Sequence, residues 1–274
     1  MRTILVPTDF SATATNAAHY AVELGKQIGV SSIVLYHTFH VPIGVGANIM
    51  APATIDLESL ERSAKEEIRK FKALLAPLAG DIHLETLVEF NLLVDGIDAA
   101  CVNTKADLII MGITGGDALD ETLIGSNTIS VAKRTSTPLI IIPAQAKFSA
   151  IKSILLVSDF RDVEATTPID KILHFVNDTK AKLFVLHVCP GEETGKEIDE
   201  QHILENMLKG SNPEFMSIIS VNFTESINEY AQEIKADIII SVPKRHGWFD
   251  SLFKRSRTNM LAFHTYTPLM VTHK

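Results

Sequence analysis

Ile4-Leu-Val-Pro-Thr-Asp9-Phe10 returns 150 positions later as Ile154-Leu-Leu-Val-Ser-Asp159-Phe160. The same offset carries Ile33-Val-Leu-Tyr-His37 onto Leu183-Phe-Val-Leu-His187 without a gap. Further on, Lys105-Ala-Asp107-Leu-Ile-Ile pairs with Lys235-Ala-Asp237-Ile-Ile-Ile, and Thr135-Ser-Thr-Pro138-Leu with Thr265-Tyr-Thr-Pro268-Leu, now at an offset of 130. Four matched blocks in one fixed order make a tandem duplication. The second copy is 20 residues shorter, and the loss falls where the first carries a Gly/Pro/Met-rich stretch at 40–54 plus a little helix. Two domains follow, 1–146 and 150–274, and a chain of 274 residues is long enough for both.

Each copy alternates short apolar runs with helical spacing. Residues 3–6 are β-rich and end at Pro7. After them Ala14, Ala17, Ala18, Ala21, Leu24 and Ile28 recur at helical intervals, with Ser11 as N-cap. Residues 32–37 form an unbroken apolar strand, as expected where both faces of a sheet are covered. Leu57, Leu60, Ala64, Ile68, Phe71 and Leu75 lay out one helix stripe. Strands at 84–90, 107–111 and 139–142 then alternate with helices at 93–103 and 126–134. The fold class expected is α/β: two tandem, open, mostly parallel five-stranded sheets flanked by helices. Ligands of such sheets sit beyond the carboxyl ends of the strands, where the strand order reverses.

The composition, 46% hydrophobic and 21% charged, is that of an ordinary globular protein. A net charge of −8 argues against binding to nucleic acid or to an anionic membrane surface. No apolar run is long enough to cross a bilayer and the opening residues make no signal peptide, so a cytoplasmic location is expected. Cys101 and Cys189 lack metal or redox spacing, and Cys101 falls in an apolar stretch as a buried small hydrophobe.

One loop carries a chemical signal. Behind the strand ending at Met111 stand Gly112 and Gly115, then nine residues, then Gly125-Ser126-Asn127-Thr128 opening a helix. Glycine lets backbone approach a ligand closely, and a helix start offers unpaired N–H groups to a phosphate. A tight strand-to-helix turn would read the same way. The spacing G-x2-G-x9-G-S, between an apolar strand and a closing Thr-Pro-Leu strand, resembles the universal stress protein family, and so does the opening Ile-Leu-Val-Pro-Thr-Asp-Phe-Ser. The resemblance runs through both copies and implies a Rossmann-like fold, a stress-response role and, in the ATP-binding branch, ATP as ligand. By position, Pro7, Thr8 and Asp9 would flank adenine and ribose, with Thr38 closing against the base. Met111, Gly112 and Gly115 would line the path to the phosphates, and Gly125, Ser126, Asn127 and Thr128 would hold them. Asp9 is a candidate for holding magnesium through water. The family's habit of pairing final strands implies that 139–142 and 269–272 join the copies as an internal pseudo-dimer; a further homodimer stays open.

Asp117, Asp120 and Glu121 stand between the glycines, where the family often carries basic residues, and read as a solvated acidic turn. The second copy lacks the motif. Gly112 maps to Val242, Gly115 to Arg245 and Gly125 to Arg255, while Pro243 removes a donor. Lys244, Arg245, Lys254, Arg255 and Arg257 gather there around Trp248 and Phe249, as an anion or partner site or as a solvated surface. His37 and His187 read as structural. No catalytic residue and no metal site is expected, so any ATP hydrolysis would be slow. A nucleotide-free scaffold for protein partners is the second reading, and an enzyme of similar fold the third.

Overall fold

A computed structural model describes residues 2–41, 56–113, 125–243 and 267–274. The first copy runs β1 (Thr3–Pro7), α1 (Ala12–Ile28), β2 (Ser32–Phe39), α2 (Leu57–Ala79), β3 (His83–Phe90), α3 (Leu93–Thr104), β4 (Leu108–Gly112), α4 (Ser126–Arg134) and β5 (Leu139–Ile142). The second runs β6 (Ser153–Ser158), α5 (Val163–Thr166), α6 (Ile169–Thr179), β7 (Lys182–Cys189), α7 (Gly195–Met207), β8 (Glu214–Ile219), α8 (Phe223–Glu233), β9 (Ile238–Ser241) and β10 (Leu269–Val271). All neighbours within a copy pair in parallel. The two five-stranded sheets are continuous: β5 and β10 pair antiparallel, Ile140 opposite Met270, giving the order β3-β2-β1-β4-β5-β10-β9-β6-β7-β8. This is the joint expected of an internal pseudo-dimer. One antiparallel seam between two parallel halves also sends their carboxyl ends to opposite rims of the sheet.

The α/β expectation holds, with informative differences. β2 continues to Phe39 because β3 pairs with it that far, Phe39 opposite Phe90. On α2 the buried stripe starts only at Ala64; Leu57 and Leu60 are exposed. The helix after the first strand is one piece in the first copy but splits into α5 and α6 in the second. Thr167-Pro168 marks the split, since the residue before a proline is driven out of the helical region. Both cysteines are buried, and burial pushes the Cys101 thiol up to about 11.

The repeated sequence blocks turn out to be repeated hydrogen bonds. The Asp107 carboxylate takes the N–H groups of Arg2 (2.6 Å) and Thr3 (3.1 Å), tying the amino end of β4 to that of β1. Asp237 does the same for Lys152 (2.8 Å) and Ser153 (3.0 Å), and adds the Ser149 hydroxyl (3.2 Å). Lys105 and Lys235, two residues earlier, both sit at positive φ where a helix ends. Hydrogen bonds to a charged partner are worth about 1.5–3 kcal/mol. We therefore expect Asp237→Ala to lower unfolding free energy by about 2 kcal/mol, and Asp107→Ala by less; equal urea midpoints for the two variants and the parent would contradict this.

Candidate functional site

β1 lies at the centre of its half, with β2 on one side and β4 on the other. The chain passes to the β2 side first and returns through β4, so a crevice opens between the carboxyl ends of β1 and β4. Several of the candidate residues meet there. Pro7 closes β1, buried and in register with Tyr36. Thr8 is also buried; its N–H donates to the Tyr36 carbonyl (2.8 Å) and its hydroxyl accepts from Phe10 N–H (3.0 Å). Asp9 is exposed and accepts from the Ser11 N–H (3.1 Å), so the end of β1 is a turn braced by two side chains. That turn holds Phe10 at φ 64, costly for a bulky residue. The Phe10 ring is held by His37, 4.6 Å away, whose Nδ1 meets the Thr8 carbonyl at 2.8 Å.

The second copy repeats each part. Phe160 has φ 46, Ser158 accepts from its N–H, and His187 stacks on its ring at 4.4 Å with Nδ1 3.0 Å from the Ser158 carbonyl. A carbonyl only accepts, so Nδ1 carries the proton in both histidines. Their work is to brace the turn, consistent with a structural reading. Among the described residues no group of three or more His, Cys, Asp or Glu could hold a metal.

Gly112 ends β4 against the first turn of α1. A Cβ built on it would meet the Thr13 carbonyl carbon and oxygen at 2.9 Å each. Glycine here permits a helix to approach, a constraint that spacing alone does not reveal. Met111 is buried just before it. Gly125 donates its N–H to the Ile113 carbonyl (2.8 Å) and serves as N-cap of α4 without a side-chain cap. The first turn of α4 carries no acidic residue, and its last turn carries Lys133 and Arg134. Ser126 and Asn127 are exposed. Thr128 is only 2% exposed and donates its hydroxyl to the Gly112 carbonyl (3.1 Å), so what it offers an anion is its amide. Thr38 stands half-exposed near the end of β2, beyond the strand that ends at Pro7. Gly115, Asp117, Asp120 and Glu121 lie outside the described residues, as does the basic stretch 244–257. Sequence reading used Ser11 only as a cap and passed over Thr13; their hydroxyls are 3.1 Å apart at the same crevice.

In the second copy α7 packs against α5, the short helix that follows β6. Glu200 accepts the Val163 N–H (2.7 Å), and a Glu197 oxygen lies 3.8 Å from His187 Nε2. The Thr194 backbone N–H, then its hydroxyl and the nearby positive charge, hold the Glu197 carboxyl below the usual carboxylate range. Two α7 carboxylates thus reach the start of α5 and the histidine near the end of β7.

An open parallel sheet with a glycine-opened helix start at its switch point defines a Rossmann-like α/β protein. The model of the universal stress protein family matches residues 1–143, and the chain belongs to that family. A universal stress protein of Methanocaldococcus jannaschii is 28% identical over 148 residues, 53% of this chain and 83% of that protein. Among solved structures, a universal stress protein from Archaeoglobus fulgidus is similar over 98% of this chain and 97% of its own, with a TM-score of 0.70 at 19% identity. One described as a putative universal stress protein from Pseudomonas aeruginosa gives 0.54 at 14% identity, covering 99% and 93%. No helix among the described residues is long and apolar enough to cross a membrane.

Proposed function

We propose that the chain is an ATP-binding stress-response regulator of the cytoplasm, built of two domains, 1–146 and 150–274, of which the first holds the nucleotide. The observation that carries this is the start of α4. Its Ser126, Asn127 and Thr128 amides open at the switch point of the first half, with, among the described residues, no side-chain cap and no carboxylate in the first turn. Unpaired helix-start amides and the helix dipole together favour a phosphate there. Pro7, Thr8, Asp9 and Thr38 are assigned to the adenosine, Met111, Gly112 and Gly115 to the path between, and Asp9 to a magnesium ion through water. In the second domain Val242, Arg245 and Arg255 stand in place of the three glycines and oppose the same ligand. Regulation then reads out occupancy, and hydrolysis is slow at most.

Denaturing the purified protein and analysing the supernatant by mass spectrometry should release adenine nucleotide. Added Mg-ATP at a hundred times its Kd should raise unfolding free energy by about 2.7 kcal/mol. Gly125→Val should abolish both signals and Arg255→Ala neither. No nucleotide and no thermal shift would refute the proposal in favour of the second reading, a nucleotide-free scaffold for protein partners. Asp117, Asp120 and Glu121, which fall between Gly115 and Gly125 in the sequence, are what favour that alternative.

A further inference from the structure

α4 joins two strands that run the same way, so it returns from the carboxyl rim of the first half to its amino rim. Because β5 and β10 are antiparallel, that amino rim is also the carboxyl rim of the second half. The segment that leaves α4 therefore comes within reach of Lys171 at the start of α6 and of the end of the chain. One side chain reaches the last turn of α4, and two more tie the chain around it. His273 Nε2 donates to the Ala132 carbonyl (2.7 Å), in the last turn of α4. Lys171 on α6 donates to the carbonyls of Ser136 (2.9 Å) and His273 (2.6 Å). Lys274 donates to the Glu164 carbonyl on α5 (2.6 Å). Residues 272–274 thus form a strap from first-half α4 to second-half α5, with Lys171 clamping its middle.

We propose that Lys171 and His273 are positioning residues for the anion seat, so that the second half, which lacks a glycine loop, sets the first half's affinity through the far end of α4. This rests on the reading of α4 as the ATP seat. α4 has nine residues and is about 13 Å long. Its near end is pinned by Thr128 to Gly112 and its far end by the strap. Helix-end carbonyls have no partner within the helix, and the strap supplies one. Amides stabilise a phosphate only when held in the right direction beforehand, and a helix loose at one end loses that alignment. Burial lowers the tendency of Lys171 to stay charged, a cost consistent with a cation fixed in place rather than left in water. Coupling is reciprocal: a phosphate drawn onto the near end of α4 tightens the strap and steadies α6.

The test uses the full chain, with Lys171→Met/His273→Ala as the broken strap and His273→Gln, which keeps an N–H donor, as the rescue. ATP is titrated calorimetrically, and amide hydrogen exchange is followed on α4 and α6. Breaking the strap should raise the ATP Kd roughly tenfold and speed exchange across α4 by a similar factor. His273→Gln should stay close to the parent, and ATP should slow exchange on α6 in the parent but not in the double variant. A lowered unfolding midpoint with unchanged Kd and unchanged α4 exchange would make the strap merely structural and overturn the proposal. Should the parent bind no ATP, the nucleotide reading falls alone. Exchange on α4 without ligand then decides the strap, unchanged rates rejecting it and faster rates upholding it.

Discussion

Gly112→Val should lower stability by about 3 kcal/mol and remove ATP binding altogether. The new side chain would begin 2.9 Å from the Thr13 carbonyl carbon and oxygen, and 3.2 Å from its Cβ. Two of those three atoms are backbone, so no rotamer change relieves the clash. Either α1 lifts from the sheet or β4 shifts, and both disturb the Gly112 carbonyl that receives the Thr128 hydroxyl. The seat at the start of α4 then loses its anchor on the strand. In the second copy Val242 occupies this place, and the segment matching Thr13 belongs to the four-residue α5 rather than to a long helix. Urea unfolding and calorimetric titration read the two effects. A variant with the parent's midpoint and ATP affinity would show that α1 can yield and that Gly112 matters to neither.

A chain cut after Lys147 should give a first half that pairs with itself. β5 is buried at all four positions, and its outer edge is covered by β10 with Leu139, Ile140 and Ile141 opposite Val271, Met270 and Leu269. Cutting exposes an apolar, unpaired edge of the kind that recruits another strand. The pairing is antiparallel and so compatible with a two-fold axis, which lets a second β5 take the place of β10. The fragment should sediment at twice its mass. A folded fragment that stays monomeric at tens of micromolar would contradict the view of the second half as a built-in partner.

The bounds of α4 and β5 could be read from the sequence because local signals agree there: glycine before the helix, Pro138 and Pro143 around an unbroken apolar run. The repeat was legible for the same reason, and its physical content, two aspartates clamping strand starts and two phenylalanines held at positive φ, became visible only with the backbone in place. Other features depend on distant chain and leave no local trace. That Gly112 faces Thr13, nearly a hundred residues away, is a matter of helix-on-sheet packing. Glu197 and Glu200 look like ordinary helix charges until α7 packs against α5 and brings them to His187 and Val163. The strap falls in the same class: Lys171 and His273 are unremarkable until the antiparallel seam brings opposite rims together.

Asn16 on α1 turns its side-chain amide to the carbonyls of Pro143, Ala144 and Ala146, the last at 2.9 Å. Gln27, three turns on, makes both bonds of a strand partner with Ile151, its Oε1 taking the N–H (2.9 Å) and its Nε2 the carbonyl (2.8 Å). The connecting segment is thereby stitched to the first half on its way to the second. A tether this short and this well held fixes the local concentration of one half around the other in the millimolar range or above. Dilution that would separate two ordinary subunits leaves this pair assembled. The assembly then rests on the seam and the tether, and the second copy can carry Val242, Arg245 and Arg255 at its three glycine positions without loss of it.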